Sequence, residues 1–216
     1  MAGEFTVSVW CFVEAEADRI CNIVAPVYVR GCEVFPPLRR QFSRRALKWS
    51  TLWPVSELTA LSEQLARVLL QQQKLLAVAE SCTGGWLAKC LTDIAGSSQW
   101  FERGFVTYSN AAKQEMLGVR SATLLREGAV SEAVVLEMAN GVLEHSRADV
   151  AVAISGIAGP GGAVPGKPVG TVCFSWAAKD NIHQEDTRYF LGDREAVRRQ
   201  SVACALQGLL DVLGTD

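Results

Sequence analysis

From about residue 56 to its end, the chain alternates between short apolar runs and amphipathic segments, and this alternation most limits its possible folds. Short apolar runs bounded by polar or glycine-rich stretches are typical of buried strands, whereas apolar residues that recur every three or four positions are typical of helices. Strands that alternate with helices favour an α/β fold in which helices cover both faces of one sheet. We therefore expect a three-layer α/β/α sandwich.

The amphipathic segments predict the helices of this sandwich. Ser56 begins a segment whose leucines recur at helical spacing, and Ser131 is a typical N-cap residue for another segment. Further helices are predicted from Trp86, over Asn110–Leu117 and from Asp193.

The apolar runs predict the strands. They are Leu75–Ala79, Gly104–Tyr108, Val150–Ile154, Thr171–Ala177 and Thr187–Leu191. Val150–Ile154 is apolar at every position, which indicates a central strand covered on both faces. The polar residues Lys179–Asn181 lie between the last two strands and predict a hairpin turn. One hairpin makes the sheet mixed, although mostly parallel.

Residues 1–53 lack this regularity. The segment contains three cysteines, the Pro36-Pro37 pair and a basic cluster between Arg39 and Arg45. We expect an irregular, disordered or marginal N-terminal extension. The alternatives are a basic arm for an acidic partner, a targeting peptide, or a misassigned start, since bacterial genes can begin at codons otherwise read as Val or Leu. Residues 54–216 are expected to form one folded domain.

Composition argues against several classes of protein. The net charge is −2, whereas proteins that bind nucleic acid are usually basic. No apolar run approaches the roughly 18 residues of a membrane-spanning helix, and the N-terminus matches a secretory signal poorly. The seven cysteines are odd in number and form no C-x-x-C pair, which fits a reducing compartment. We expect a cytoplasmic protein that binds neither nucleic acid nor membranes.

Polar or glycine-rich residues follow three of the predicted strands. They are Glu80–Gly85, Tyr108–Asn110 with Lys113 beyond it, and Ser155–Gly162. In such sheets ligands bind at the carboxyl ends of the strands. Glycines allow the backbone to approach a ligand closely, and N–H groups at the start of a helix can bind an oxyanion or a phosphate. The three segments therefore predict one site.

Several side chains in these segments could carry a reaction. Ser81 and Cys82 are alternative nucleophiles just before a helix, and Lys113 could act as a base if burial lowered its pKa. A simpler interpretation makes Ser81 or Thr83 an ordinary N-cap residue, Cys82 a small packed residue and Lys113 an exposed helix lysine.

Other chemistries have weaker support. Gly161–Lys167 matches the opening of a P-loop, but Pro168 and a strand follow where a Ser or Thr and a helix are required. His145 and His183 lie far apart in sequence without H-E-x-x-H spacing, which argues against a zinc site or a Ser-His-Asp triad.

Taken together, the motifs resemble the CinA C-terminal domain family over about residues 56–213. The resemblance is carried by Ala79–Gly85, Gly104–Asn110, Gly128–Ser131, Ser155–Pro160, Lys167–Val172, Gly192–Arg194 and Arg198–Gln200. Ser155 stands where family members often have Thr, a change that keeps the hydroxyl. Longer members carry a separate N-terminal domain, and residues 1–53 are too short to be that domain.

The resemblance implies a function. Stand-alone members of the family deamidate nicotinamide mononucleotide to nicotinate mononucleotide and ammonia in pyridine-nucleotide salvage, and members tend to form homo-oligomers. It also implies that Ser81 is the nucleophile, Lys113 the base and Tyr108 a proton relay. No metal or organic cofactor is expected. The expected substrate-binding residues are Thr83, Gly84, Gly85, Asn110, Ser155, Gly156, Ile157, Ala158, Gly159 and Arg194.

Two alternatives to this enzyme remain. A non-catalytic nucleotide-binding module, of the competence- or damage-inducible type that the family name suggests, would need the glycine loops but not Lys113 or Tyr108. A cysteine amidase would use Cys82 instead of Ser81. The presence of Ser81, Tyr108 and Lys113 together favours the serine enzyme.

Overall fold

A five-stranded sheet forms the middle layer of the protein in this computed structural model, which describes residues 55–180 and 182–214. The strand order is β2-β1-β3-β4-β5. The strands are β1 (Leu76–Glu80), β2 (Phe101–Val106), β3 (Val150–Gly156), β4 (Thr171–Ala178) and β5 (Ile182–Tyr189). The predictions for residues 1–53 lie outside the described residues.

The direction of the strands confirms a mixed sheet. β1 pairs in parallel with β2 and β3, whereas β4 pairs antiparallel with both β3 and β5. Four of the five strands therefore point the same way. β3 lies at the centre of the sheet and is buried almost throughout, as its apolar sequence predicts.

Helices cover both faces of this sheet. They are α1 (Val55–Gln72), α2 (Trp86–Thr92), α3 (Asn110–Leu117), α4 (Ser121–Glu127), α5 (Glu132–Glu144) and α6 (Arg194–Val212). α1, α2 and α6 pack on one face, and α3, α4 and α5 pack on the other. Successive side chains of β1 point to opposite faces of the sheet. Leu76 and Val78 face the first group of helices, and Ala77 and Ala79 face the second. The three-layer sandwich is confirmed.

The sequence misplaced the two edge strands and missed one helix. β2 begins at Phe101 instead of Gly104, and β5 begins at Ile182 instead of Thr187. An edge strand is open to solvent on one side and carries polar residues such as Glu102 and Arg103, so it lacks a clear apolar pattern. α4 spans only seven residues and has too little periodicity to be recognised.

The carboxyl ends of β1, β2 and β3 meet at one edge of the sheet. Glu80 pairs with Val106 on one side and with Ile154 on the other. Two further hydrogen bonds extend this register, one from Thr107 N to Glu80 O (2.9 Å) and one from Ser81 N to Ile154 O (3.0 Å). The three segments that the sequence predicts to form one site are therefore neighbours.

Candidate active site

Ser81 and Lys113 are in direct contact at this edge of the sheet. Lys113 Nζ donates a hydrogen bond to Ser81 Oγ at 3.0 Å and another to the carbonyl oxygen of Thr107 at 2.8 Å. Ser81 is 9% exposed and Lys113 is 1% exposed. Lys113 is therefore not the exposed helix lysine of the simpler interpretation, and it lies within reach of the Ser81 hydroxyl proton.

The local sequence explains how Lys113 reaches this position. Ser109 caps α3 by accepting a hydrogen bond from Ala112 N, so the helix begins immediately after the segment that follows β2. Gly118, with a φ of 68°, ends the helix in the left-handed conformation. Lys113 lies one turn into this short helix, on its buried side.

Burial lowers the pKa of Lys113 from its ordinary value, because the charged ammonium loses its hydration. Within the described residues no carboxylate forms a salt bridge with Lys113 that would counteract this effect. The surroundings therefore make the neutral amine more accessible than it is for a solvated lysine, and the neutral amine is the form that can accept a proton from a serine hydroxyl.

The neighbouring thiol is poorly suited to act as a nucleophile. Cys82 is 6% exposed, and burial raises the pKa of its thiol to about 12. The thiolate, which is the nucleophilic form of cysteine, is therefore rare at neutral pH. Cys82 packs in the same apolar cluster as Leu87 and Val172, which agrees with the simpler interpretation of Cys82 as a small packed residue.

Glu80 organises the segment that carries Ser81. One of its side-chain oxygens accepts hydrogen bonds from Gly85 N (3.0 Å) and Leu87 N (3.1 Å), and the other accepts one from Ala88 N (2.8 Å). These bonds satisfy N–H groups at the start of α2, so neither Ser81 nor Thr83 is the N-cap residue. Gly85 precedes α2 with a φ of 95°.

Few backbone donors near Ser81 remain available to a ligand. Gly84 N donates to Ser81 O, Gly85 N donates to Glu80, and Ile157 N donates to the carbonyl oxygen of Thr171. Within the described residues, the N–H groups of Thr83 and Ala158 have no hydrogen-bond partner. Both residues are buried, so these two donors are candidates for binding an oxyanion. The N–H groups of the buried residues Cys82 and Gly159 also lack a backbone partner among the residues that the structure describes.

Tyr108 contacts Arg194 at the rim of the site. Tyr108 is 63% exposed, and its hydroxyl accepts a hydrogen bond from Arg194 Nη2 at 3.1 Å. Arg194 Nη1 donates to the carbonyl oxygen of Gly159 at 2.9 Å. The structure therefore does not place the Tyr108 hydroxyl between Ser81 and Lys113, where a relay would act, and the direct contact of that pair leaves no gap to bridge. Asn110 is exposed beside this rim.

The glycine-rich segment after β3 packs closely against its neighbours. Ser155 Oγ donates to the carbonyl oxygen of Ala129 at 2.7 Å, so in this structure its hydroxyl ties the segment to the start of α5. A Cβ atom at Gly156 would approach Val172 Cγ2 to 2.7 Å and Cys82 Sγ to 3.0 Å. Glycine is therefore required at position 156 for the segment to approach the loop that carries Ser81.

A separate cavity of about 460 Å³ lies on the face of the sheet that α5 covers. Cys173 lines it and pairs with Ser155 across β3 and β4, which places both side chains on one face. Lys167 also lines this cavity and donates to the carbonyl oxygen of Glu127. Neither Ser81 nor Lys113 contributes to its lining.

The described residues offer no group of three or more His, Cys, Asp or Glu side chains that could hold a metal ion. No helix among them has the length and apolarity needed to cross a membrane. The polar groups that meet beside Ser81 are a lysine, backbone N–H groups and, at the rim, an arginine, and these suit a reaction in which negative charge develops on an oxygen.

Fold and site together define an α/β protein with a buried serine–lysine pair at the carboxyl edge of its sheet. The family model for the CinA C-terminal domain matches residues 58–213. The chain belongs to the CinA C-terminal domain family.

Relatives with curated names and solved structures agree with this assignment. The nicotinamide-nucleotide amidohydrolase PncC of Escherichia coli is 59% identical over 154 residues, which cover 71% of this chain and 93% of that protein. A CinA-like protein of Akkermansia muciniphila is 54% identical over 66% of this chain, but over only 34% of its own length. The crystal structure of the competence/damage inducible protein CihA from Agrobacterium tumefaciens matches with a TM-score of 0.71 and 42% identity, covering 75% of this chain and 98% of that one.

Proposed function

We propose that this protein is a nicotinamide-nucleotide amidohydrolase, which converts nicotinamide mononucleotide and water to nicotinate mononucleotide and ammonia. The name and the 59% identity of the Escherichia coli relative support the reaction. The contact of 3.0 Å between Lys113 Nζ and Ser81 Oγ is the observation that carries the mechanism. The substrate is a small-molecule nucleotide, and we propose that neither a metal nor an organic cofactor takes part.

Ser81 and Lys113 act as nucleophile and base in the proposed mechanism. Neutral Lys113 takes the proton of the Ser81 hydroxyl as Oγ attacks the carboxamide carbon, which the cationic pyridinium ring makes more electrophilic. The C–N bond then breaks, and Lys113 returns the proton to the departing ammonia. The same lysine then takes a proton from water, whose oxygen attacks the ester carbon of Ser81. The bond to Ser81 Oγ breaks, Lys113 returns the proton to this oxygen, and nicotinate mononucleotide is released.

The oxyanion of the tetrahedral intermediate needs hydrogen-bond donors. We assign this role to the free N–H groups of Thr83, in the segment that carries Ser81, and of Ala158, in the glycine-rich segment after β3. One such donor is typically worth about 2.7–4 kcal/mol of transition-state stabilisation. Gly84, Gly85 and Gly156 contribute by letting the backbone approach the substrate closely rather than by donating hydrogen bonds.

Arg194 is the proposed contact for the phosphate of the nucleotide. It lies at the exposed rim, and its two described hydrogen bonds leave further guanidinium N–H groups to donate. Tyr108 and Gly159 hold this side chain in place, and Asn110 lies at the start of α3 beside Tyr108. The proposed substrate-binding surface therefore runs from Ser81 outward to Arg194.

Several wider properties belong to the same proposal. The described cysteines are all free, which supports a reducing cytoplasmic location. The net charge of −2 supports a protein that does not bind nucleic acid. We also propose that residues 54–216 form the catalytic domain, that residues 1–53 are an irregular extension, and that the protein self-associates as its family does.

Ammonia release from nicotinamide mononucleotide tests the proposal. We expect release by the wild-type protein and none by Ser81→Ala, while Ser97→Ala, at a serine in the short helical turn before β2, serves as a matched control and retains full activity. Binding of the nucleotide by a folded wild-type protein without release would instead support the non-catalytic binding module. Full activity of Ser81→Ala would refute Ser81 as nucleophile.

A further inference from the structure

Arg198, in the first turns of α6, binds the loop between β1 and α2 that carries the nucleophile. Its Nε donates to the carbonyl oxygen of Cys82 at 3.0 Å, and its Nη2 donates to the carbonyl oxygen of Thr83 at 2.8 Å. The guanidinium carbon also lies 5.3 Å from the ring centroid of Trp86, the first residue of α2. One side chain therefore fixes two successive peptide groups immediately after Ser81.

Because the peptide bond is planar, the contact of Arg198 with the Cys82 carbonyl also fixes the direction of the Thr83 N–H group. In a trans peptide the C=O and the following N–H point in opposite directions. Because Arg198 holds the Cys82 carbonyl, the Thr83 N–H must point away from Arg198. This N–H belongs to a fully buried residue and has no partner among the described residues. An unpartnered buried donor is unfavourable, so its retention next to a nucleophile suits a role toward a ligand oxygen.

The described contacts of the Arg198 guanidinium are all with this loop and with the first residue of α2. No salt bridge to Arg198 occurs in the described part of the chain, where its contacts are two carbonyl oxygens and an aromatic ring. A fork of guanidinium donors can hold two carbonyl oxygens at once, which a lysine ammonium does less well. Arg194 lies four residues earlier on α6, on the same side of the helix, and reaches the rim.

We propose that Arg198 is a positioning residue that keeps the Thr83 N–H directed at the reacting carbonyl oxygen. The inference rests on the proposed function of Ser81 as nucleophile. Without Arg198, the peptide between Cys82 and Thr83 is free to rotate, and its carbonyl oxygen would then face and repel the developing oxyanion. Arg198 thus preorganises the oxyanion site without touching the substrate.

The test compares Arg198→Gln and Arg198→Lys with Arg67→Gln, a control at an exposed arginine of α1. We expect kcat of Arg198→Gln to fall about 10- to 100-fold, the scale of a small misplacement at a reaction centre, with little change in KM. Arg198→Lys should recover part of kcat, and Arg67→Gln should match the wild type. The pH dependence of kcat/KM should keep its inflection, because Lys113 is unaffected.

Two measurements separate this role from a folding defect. Circular dichroism gives the folded fraction, and a fall in activity that only follows that fraction would overturn the inference. Added guanidinium chloride at low millimolar concentration should partly restore kcat to Arg198→Ala, because the free cation can occupy the vacated position. Unchanged kcat in a folded Arg198→Gln protein would also overturn it.

A fluorophosphonate probe makes the test independent of the substrate. Its reaction with Ser81 also develops negative charge on an oxygen, so Arg198→Gln should label about 10- to 100-fold more slowly than wild type. If the wild type reacts with the probe but releases no ammonia from the nucleotide, the proposed function fails and Arg198 is judged by labelling alone. Equal labelling rates would overturn the role of Arg198, and an unreactive Ser81 in the folded wild type would overturn both proposals.

Discussion

Lys113 is a buried amine in contact with a hydroxyl, an arrangement that lowers stability and that, in the proposed mechanism, makes Ser81 reactive. The side chain is almost fully enclosed, and its described partners are the neutral oxygens of Ser81 and Thr107. A charged ammonium in such a place is unfavourable, so burial lowers the pKa of Lys113 from its ordinary value. The property that would make Lys113 a base is therefore one that the fold must compensate elsewhere.

The pH dependence of activity follows from the lowered pKa of Lys113. In the proposed mechanism activity requires the neutral amine, so kcat/KM should fall as the pH decreases through the pKa of Lys113, and the inflection should lie below the ordinary value of 10.5. Lys113→Arg should be inactive across the range, because a guanidinium stays protonated. A pH series of ammonia release measures both, and an active Lys113→Arg variant would contradict the assignment.

The same shift predicts how stability depends on pH. The folded protein binds the Lys113 proton more weakly than the unfolded chain does, so stability should rise as the pH increases from the folded pKa toward 10.5, by up to about 1.4 kcal/mol per pH unit. Lys113→Met, which has no amine, should lack this component. Urea unfolding at several pH values gives the free energy of unfolding of the wild type and of Lys113→Met. If the two change with pH in parallel, the pKa of Lys113 is not lowered by folding.

Cys82 should be dispensable for the reaction. Its thiol pKa of about 12 leaves almost no thiolate at neutral pH, and the side chain is buried. We expect Cys82→Ala to keep kcat/KM close to that of the wild type, with a modest loss of stability from the cavity. We also expect iodoacetamide to leave the wild-type enzyme active. Loss of activity in a folded Cys82→Ala protein would revive the cysteine nucleophile.

At the scale of the element, Glu80 joins β1 to α2. It accepts three backbone hydrogen bonds from the first turns of the helix while its own backbone remains in the sheet. This arrangement sets the position of Ser81, which follows Glu80 directly. The sequence could not predict the hydrogen bonds from α2 to Glu80. An acidic residue five positions before the glycine that precedes a helix matches no capping pattern and is equally typical of a loop.

Replacement of Glu80 should therefore weaken both the fold and the site. Glu80→Ala leaves three donors without a partner in a region with little access to water, and we expect the free energy of unfolding to fall by about 2–4 kcal/mol. Glu63→Ala, at an exposed position of α1, should have little effect and serves as the control. Chemical denaturation measures both, and equal losses in the two variants would show that the contacts of Glu80 do not matter.

At the scale of the whole molecule, the sequence predicts the layers better than it predicts the long-range contacts. The alternation of apolar runs and amphipathic segments is local, so it predicted the central strands and most helices, together with the meeting of Ser81, Lys113 and Ser155 at one edge. The contacts of Arg198 with Cys82 and of Arg194 with Tyr108 join residues far apart in the chain, and no local pattern encodes such pairs. The starts of the edge strands β2 and β5 were misplaced because these strands carry exposed polar residues.

The packing of α1 supports the proposed start of the catalytic domain near residue 54. Its leucines Leu58, Leu65 and Leu69 are fully buried in the layer that also contains α6, and Gln72 Nε2 donates to Leu213 O near the end of α6. Each buried leucine contributes about 1.5–3 kcal/mol. A domain that began after α1 would therefore lose a large part of the layer that supports α6, which carries Arg194 and Arg198.

Two fragments test this boundary. Residues 54–216 retain α1 and the whole matched region 58–213, so we expect this fragment to unfold cooperatively and to release ammonia with the kcat/KM of the full chain. Residues 74–216 lack α1, and we expect no cooperative unfolding transition and no activity, because the apolar surface of α6 is then exposed. Calorimetry and the ammonia assay on both fragments decide the matter. An inactive or unstable 54–216 fragment would move the start of the domain into residues 1–53, whereas an active 74–216 fragment would show that α1 is not part of the core that supports the site.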